Sequence, residues 1–144
     1  MATHVIAPNE ELVLTGYLRD KLASTPWAAA FVSNRLVLHD GREVLPSEDY
    51  AVIVRSDGGP ALEPPTFLRR FGIRIFGPDG DDNGMRTMAL AAHVEVLLKA
   101  APFHTSEVAA TLATHGPSRV PPSVSRPEAY LTCELVLVGA PINI

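Results

Sequence analysis

Residues 67–101 read FLRRFGIRIFGPDGDDNGMRTMALAAHVEVLLKAA, and the reading of this stretch decides the fold. Over its first ten residues, Phe67, Phe71, Ile73 and Ile75 share one parity with Arg69, while Arg70, Gly72 and Arg74 share the other with Leu68 and Phe76. Side chains along a strand point to opposite faces in turn, so the pattern predicts a strand over 67–76 with one core face and one basic face. Residues 84–99 then repeat apolar positions at helical spacing. Met85, Met88, Ala89, Ala92 and Val96 share a face, with Leu90, Val94, Leu97 and Leu98 close beside it. Asp81, Asp82 and Asn83 stand where N-caps are expected. An apolar arc that wide predicts burial on more than one side. A strand followed by a helix, each with a face to hide from water, is half of a core.

The flanking segments supply the other half. Residues 1–8 read as a short arm, and Asn9-Glu10-Glu11 reads as a helix start, with a capping side chain and two acids at the positive end of the dipole. Leu14, Leu18 and Leu22, with Tyr17 beside them, make one apolar stripe on a helix that runs to about residue 22. Residues 27–32 predict a short strand, and His39-Asp40-Gly41 a small hairpin turn within 36–45. Residues 50–55 are β-branched and almost continuously apolar, which predicts a central strand covered on both faces. Residues 104–115 read as a further strand. Residues 116–127 hold four prolines and predict a long exposed loop or arm, since proline cannot pair in an inner strand. Residues 130–138 predict a strong final strand, and 139–144 a tail. The expected architecture is a single α+β domain over residues 1–144: a mainly antiparallel or mixed sheet of about four to five strands against two helices on one face. The opposite sheet face then carries little polar material, which predicts a partner.

At 144 residues the chain can hide roughly 70% of the surface it exposes when unfolded, so it needs no staple. Its charged share, 19%, is below the usual quarter, which points to surface covered by association. A net charge of −4 argues against a binder that coats nucleic acid with its whole surface, because phosphate neutralisation needs an excess of Lys and Arg. The single Cys133 forms no internal disulfide. No apolar run approaches the roughly 20 residues of a membrane helix, and MATHVIAPNEELV has no charged segment followed by an apolar core; a soluble chain made in a cytoplasm is expected.

Chemistry-bearing patterns are weak. Asp79-Gly80-Asp81-Asp82-Asn83-Gly84 opens like a calcium loop, but the twelfth position, which must supply a bidentate carboxylate, is Leu90. A polar turn explains it better. His4, His39, His93, His104 and His115 have no metal-ligand spacing, and His93 and Glu95, two apart on a helix, point apart. There is no G-x-S-x-G elbow and no Lys-Ser/Thr phosphate loop, Cys133 sits in an apolar strand phase, and Glu48-Asp49 reads as a solvated loop pair. No catalytic residue, metal ligand or cofactor is therefore assigned, and no enzyme is expected. Arg69, Arg70 and Arg74 are the notable cluster, suited to acidic partner residues or a nucleic-acid backbone.

The order of these pieces resembles the tail terminator, or tail completion, proteins of long-tailed bacteriophages. The pieces are the opening helix with Leu14, Tyr17 and Leu18; Phe31-Val32-Ser33-Asn34-Arg35; and Tyr50-Ala51-Val52-Ile53-Val54-Arg55 closing on Ser56-Asp57-Gly58-Gly59. After them come the strand 69–76 leading into an Ala-rich helix, Gly116-Pro117 before a Pro-rich arm, and a last strand led in by Tyr130. The 77–84 loop is longer and more acidic than the family's usual turn, and the tail after Gly139 is apolar and short. The resemblance implies a structural virion protein, assembled in the host cytoplasm, that forms a homo-oligomeric ring, usually hexameric, at the head-proximal end of the tail. Such a ring ends polymerisation of the tube, meets the major tail tube protein and the head-tail connector protein, and lets DNA pass through its lumen without reading sequence. Arg69, Arg70 and Arg74 against acids such as Asp79, Asp81 and Asp82 of a neighbour are expected to form part of the ring contact, with the arm 116–127, which carries Arg119 and Arg126, as a second contact element. The alternatives are another head-tail connector or completion adaptor, or a small enzyme or calcium-binding domain.

Overall fold

The alternation at residues 67–76 places that strand in the middle of the sheet, with a paired neighbour on each side. The computed structural model describes residues 3–35, 37–39, 42–44, 50–78, 84–121 and 126–143. In chain order the elements are β1 (Thr3–Ile6), α1 (Glu10–Leu22), β2 (Phe31–Ser33), β3 (Val37–His39), β4 (Arg42–Val44), β5 (Ala51–Gly58), β6 (Thr66–Phe76), α2 (Met85–His104), β7 (Val108–Val120), β8 (Glu128–Val138) and β9 (Ala140–Asn143). The fold is α+β: two helices pack on a five-stranded mixed sheet of order β2-β5-β6-β8-β7. β2 runs parallel to β5, and every other neighbour in the sheet is antiparallel. β3 and β4 form the hairpin expected around His39, and β1 pairs with β9 in a separate ribbon. The arm and the tail of the sequence reading are thus strands that pair with each other, a contact between chain ends that local patterns do not encode.

The core lies between the sheet and the helices. Phe71, Ile73 and Ile75 of β6 are buried there with Val52 and Val54 of β5 and Leu131, Cys133, Leu135 and Leu137 of β8. These core-facing residues of β5, β6 and β8 follow a period of two, which the edge strand β7 does not keep. The predicted double-sided burial of β5 is also present: Ala51 and Ile53 are buried on the opposite face, in a second small cluster with Phe76 and Phe31. Burial of the Cys133 thiol, with Glu134 adding to it, pushes its pKa up to about 12, so it is packing material and not a nucleophile.

α1 forms as its sequence requires. Asn9 caps it by accepting a hydrogen bond from the Leu12 N–H at 3.4 Å, and Leu14, Tyr17, Leu18 and Leu22 are buried. The Tyr17 hydroxyl donates to the Leu97 carbonyl at 2.6 Å, which ties α1 to α2.

α2 departs from the sequence reading in face and in length. Its buried residues are Thr87, Leu90, Ala91, Val94, Leu98 and Ala101, whereas Met85, Ala89, Ala92 and Val96 face outward. Two apolar seams compete for the sheet, and the one with more leucine goes in because it removes more apolar area from water. The helix also continues past residue 99 to His104, although Pro102 cannot donate to the Leu98 carbonyl. The Thr111 hydroxyl on β7 donates to that same carbonyl at 2.6 Å. A side chain 13 residues away thus satisfies the acceptor that proline orphans.

β7 therefore starts at Val108, not at 104, and runs through 116–120, which the sequence reading assigns to an exposed loop. Pro117 is tolerated because β7 is an edge strand and its pairing with β8 shifts register three times. Residues 116–120 are paired yet largely exposed, whereas the far end of that segment is not exposed: Arg126 is buried, its Nε–H donates to the Gly77 carbonyl at 2.8 Å, and the Gly77 N–H donates to the Pro127 carbonyl. Residues 27–30 form a turn, so only Phe31 and Val32 of the predicted 27–32 strand pair, and β2 runs one residue further, to Ser33.

Candidate functional site on the outer sheet face

The sheet face opposite the helices carries the even positions of β6 and β8. Arg70 stands directly across from Glu134, and their side chains meet at 3.1 Å; Arg74 reaches diagonally to Glu128 at 3.0 Å. Opposite charges on adjacent strands attract at this spacing, and each pair adds at most about 1 kcal/mol because water screens it. Arg74 also lies over the Phe76 ring, 4.8 Å from its centroid. Between the two arginines, Gly72 has no side chain for a reason of space: a Cβ there would sit 2.6 Å from the Tyr130 hydroxyl. Tyr130 thus covers the gap between the ion pairs, and Arg55 of β5, opposite Gly72 in register, is exposed on the same sheet. The face expected to lack polar cover has it in the form of cross-strand pairs.

Arg69 has another role. It points to the helix side, where its side chain is 11% exposed, and its guanidinium lies 3.3 Å from Glu10 at the start of α1. That contact is an ion pair and not an aligned hydrogen bond, since Nε–H has no hydrogen-bond acceptor. Nη1 donates to the carbonyls of Gly59 and Leu68 at 2.7 and 2.9 Å. Glu10 also accepts from the Ser56 hydroxyl, and Glu11 from the Ser56 N–H at 2.7 Å and from the Asn34 amide at 3.1 Å. The two acids read as dipole partners of α1 are therefore a clasp between α1, the end of β5 and β6. Nothing in the local sequence reveals this, because the hydrogen-bond partners lie 23 to 46 residues away and Arg69 lies farther still along the chain.

Of the eight residues singled out, Arg70 and Arg74 share the outer face. Arg119 is exposed on the edge strand β7, and Arg69 and Arg126 are bonded within their own chain. Asp79, Asp81 and Asp82, and with them the calcium-like loop, lie outside the described residues. Among the described residues no group of three or more His, Cys, Asp or Glu is placed to hold a metal ion. His93 instead packs its ring against Trp27, with centroids 5.5 Å apart.

The second outward feature, missed by sequence reasoning, is on the helix layer. Met85 is 71% exposed, Val96 59% and Phe103 86%, and Ala89 and Ala92 are exposed between them. The spacing of four and three was visible in the sequence; which seam faces out was not.

The chain matches no protein-family model, and a search of curated proteins finds no match.

Proposed function

We propose that this protein is a structural subunit of the tail-terminator kind, a ring former at the head-proximal end of a long bacteriophage tail that ends tube polymerisation and offers a surface to the head connector. The observation that carries the reading is the surface left outward on an α+β framework of the expected element order. A helix with a second apolar seam, with Phe103 almost fully exposed, sits in a chain whose charged share is only 19%. Surfaces of that kind mark association sites. In the ring, Arg70 and Arg74 exchange or share their glutamate partners with acids of a neighbouring copy, a contact that closes when its rotation divides a full turn.

Native mass spectrometry with negative-stain imaging on tail tubes tests the reading. A closed ring, six copies being expected, that seats on one end of the tube supports it. A chain that forms no ring at any concentration and ignores tube ends overturns it. Arg70→Glu combined with Arg74→Glu tests the contact itself, since an unchanged ring mass removes these residues from the interface.

A further inference from the structure

The ribbon of β1 and β9 belongs to neither of the other sheets, and each of its strands packs chiefly on the other. Its register runs from Thr3 opposite Asn143 to Ile6 opposite Ala140. A two-stranded ribbon with no third strand is marginal in water. The two strands are held differently. β9 follows β8 with Gly139 alone between them, and the Gly139 N–H donates to the Pro65 carbonyl at 2.7 Å. β1 is joined to α1 through Ala7 and Pro8, ahead of the Asn9 cap. The seat that β1 occupies is shaped for it. A Cβ built on Gly139 would stand 2.5 Å from the Ile6 carbonyl oxygen, 2.5 Å from the Phe67 ring and 2.8 Å from Val5 Cγ1, so the missing side chain is what lets β1 come so close.

We propose that β1 is an exchangeable strand: residues 3–6 of one copy pair with β9 of a neighbouring copy, in the register seen here within one chain. The occupant is β1 of a second copy because the seat made by β9, Gly139 and Phe67 already fits that segment. A swapped strand keeps the pairing it had, so exchange loses none of it and turns the ribbon's bonds into bonds between copies. A short linker such as Ala7-Pro8 invites exchange of the element it carries. Donor and acceptor are different parts of the chain, so the contact runs head to tail and closes a ring when its rotation divides a full turn. The inference goes beyond the ring reading and does not require it, since two copies that trade β1 make the same contact.

The experiment incubates two full-length variants together, His4→Cys and Ile142→Cys, oxidises them mildly with copper as catalyst, and reads the mass under denaturing, non-reducing conditions. Residues opposite each other in an antiparallel pair have Cα atoms about 4.5–5.5 Å apart, within a disulfide's reach, and neither variant can bridge these positions within one chain. Cys133 is buried and stays out of the reaction. A covalent mixed pair is expected, at about tenfold or more the yield from His4→Cys mixed with Ser118→Cys, because strand pairing raises the effective concentration of the two thiols. Val5→Cys with Pro141→Cys repeats the test one position along the register. A raised yield with either combination supports the exchange, and yields no higher than the control's with both overturn it. A closed ring that seats on tube ends but gives no mixed pair keeps the tail-terminator reading and removes the exchange; mixed pairs from a chain that ignores tube ends do the reverse.

Discussion

α1 and α2 are both helices on the same sheet face, yet one has a single apolar side and the other has two. Leu14, Leu18 and Leu22 leave α1 one way to dock, and it docks that way. α2 carries a seam of Leu90, Val94 and Leu98 and another of Met85, Ala89, Ala92 and Val96, and the sheet takes the first. A helix with two apolar sides is left with an outward seam, which only another molecule can cover.

The sharpest way to break that contrast is to truncate one residue of each seam. Leu98→Ala is expected to cost about 2–5 kcal/mol of unfolding free energy by denaturant titration, because it leaves a cavity under the helix. Val96→Ala should stay within about 0.5 kcal/mol in the isolated chain. Equal costs would show that both seams are buried in solution.

The arginines offer a smaller version of the same comparison. Arg69→Ala removes a nearly buried guanidinium from Glu10 and two carbonyls, and it is expected to cost about 1.5–3 kcal/mol. Arg70, at 60% exposure, should cost at most about 1 kcal/mol in the same substitution. Thermal unfolding of the two variants side by side measures the difference.

Thr111→Val tests the account of Pro102, since it leaves the Leu98 carbonyl without the hydroxyl that replaces its helical donor. A loss of about 1–3 kcal/mol is expected. Restoring the donor with Pro102→Ala in the same chain should recover most of it, and a lack of recovery would dissociate the two.

Cys133 gives the smallest effect at neutral pH and a signed one above it. Its folded pKa lies above its ordinary value, so the unfolded thiol releases its proton first, and stability falls as pH rises from about 9 towards 12. At pH 8 the folded chain should resist thiol alkylation, and labelling should follow unfolding.

Much of the framework was legible in the chain. The parity of 67–76 marked the core face of β6, Asn9 marked the start of α1, and the almost continuously apolar run 50–55 marked a strand buried on both sides at Ala51 to Val54. Each of these is a local rule: side-chain period, cap chemistry, or the desolvation of every residue in a segment. The site was less legible. Parity puts Arg69 on the core face of the strand and Arg70 and Arg74 on the other, but only the packing of α1 against the end of β5 shows that Arg69 is clasped by Glu10 and two backbone carbonyls.

What the sequence determined alone was the set of faces each element must hide, because hydrophobic burial follows from residue spacing. Tertiary structure decided which of two adequate seams on α2 was hidden, and which remote groups satisfied the Leu98 carbonyl and Glu10. It also decided that the chain ends pair as β1 and β9. Those outcomes depend on comparing whole arrangements for buried area and satisfied polar groups, a competition between distant residues that no single stretch contains.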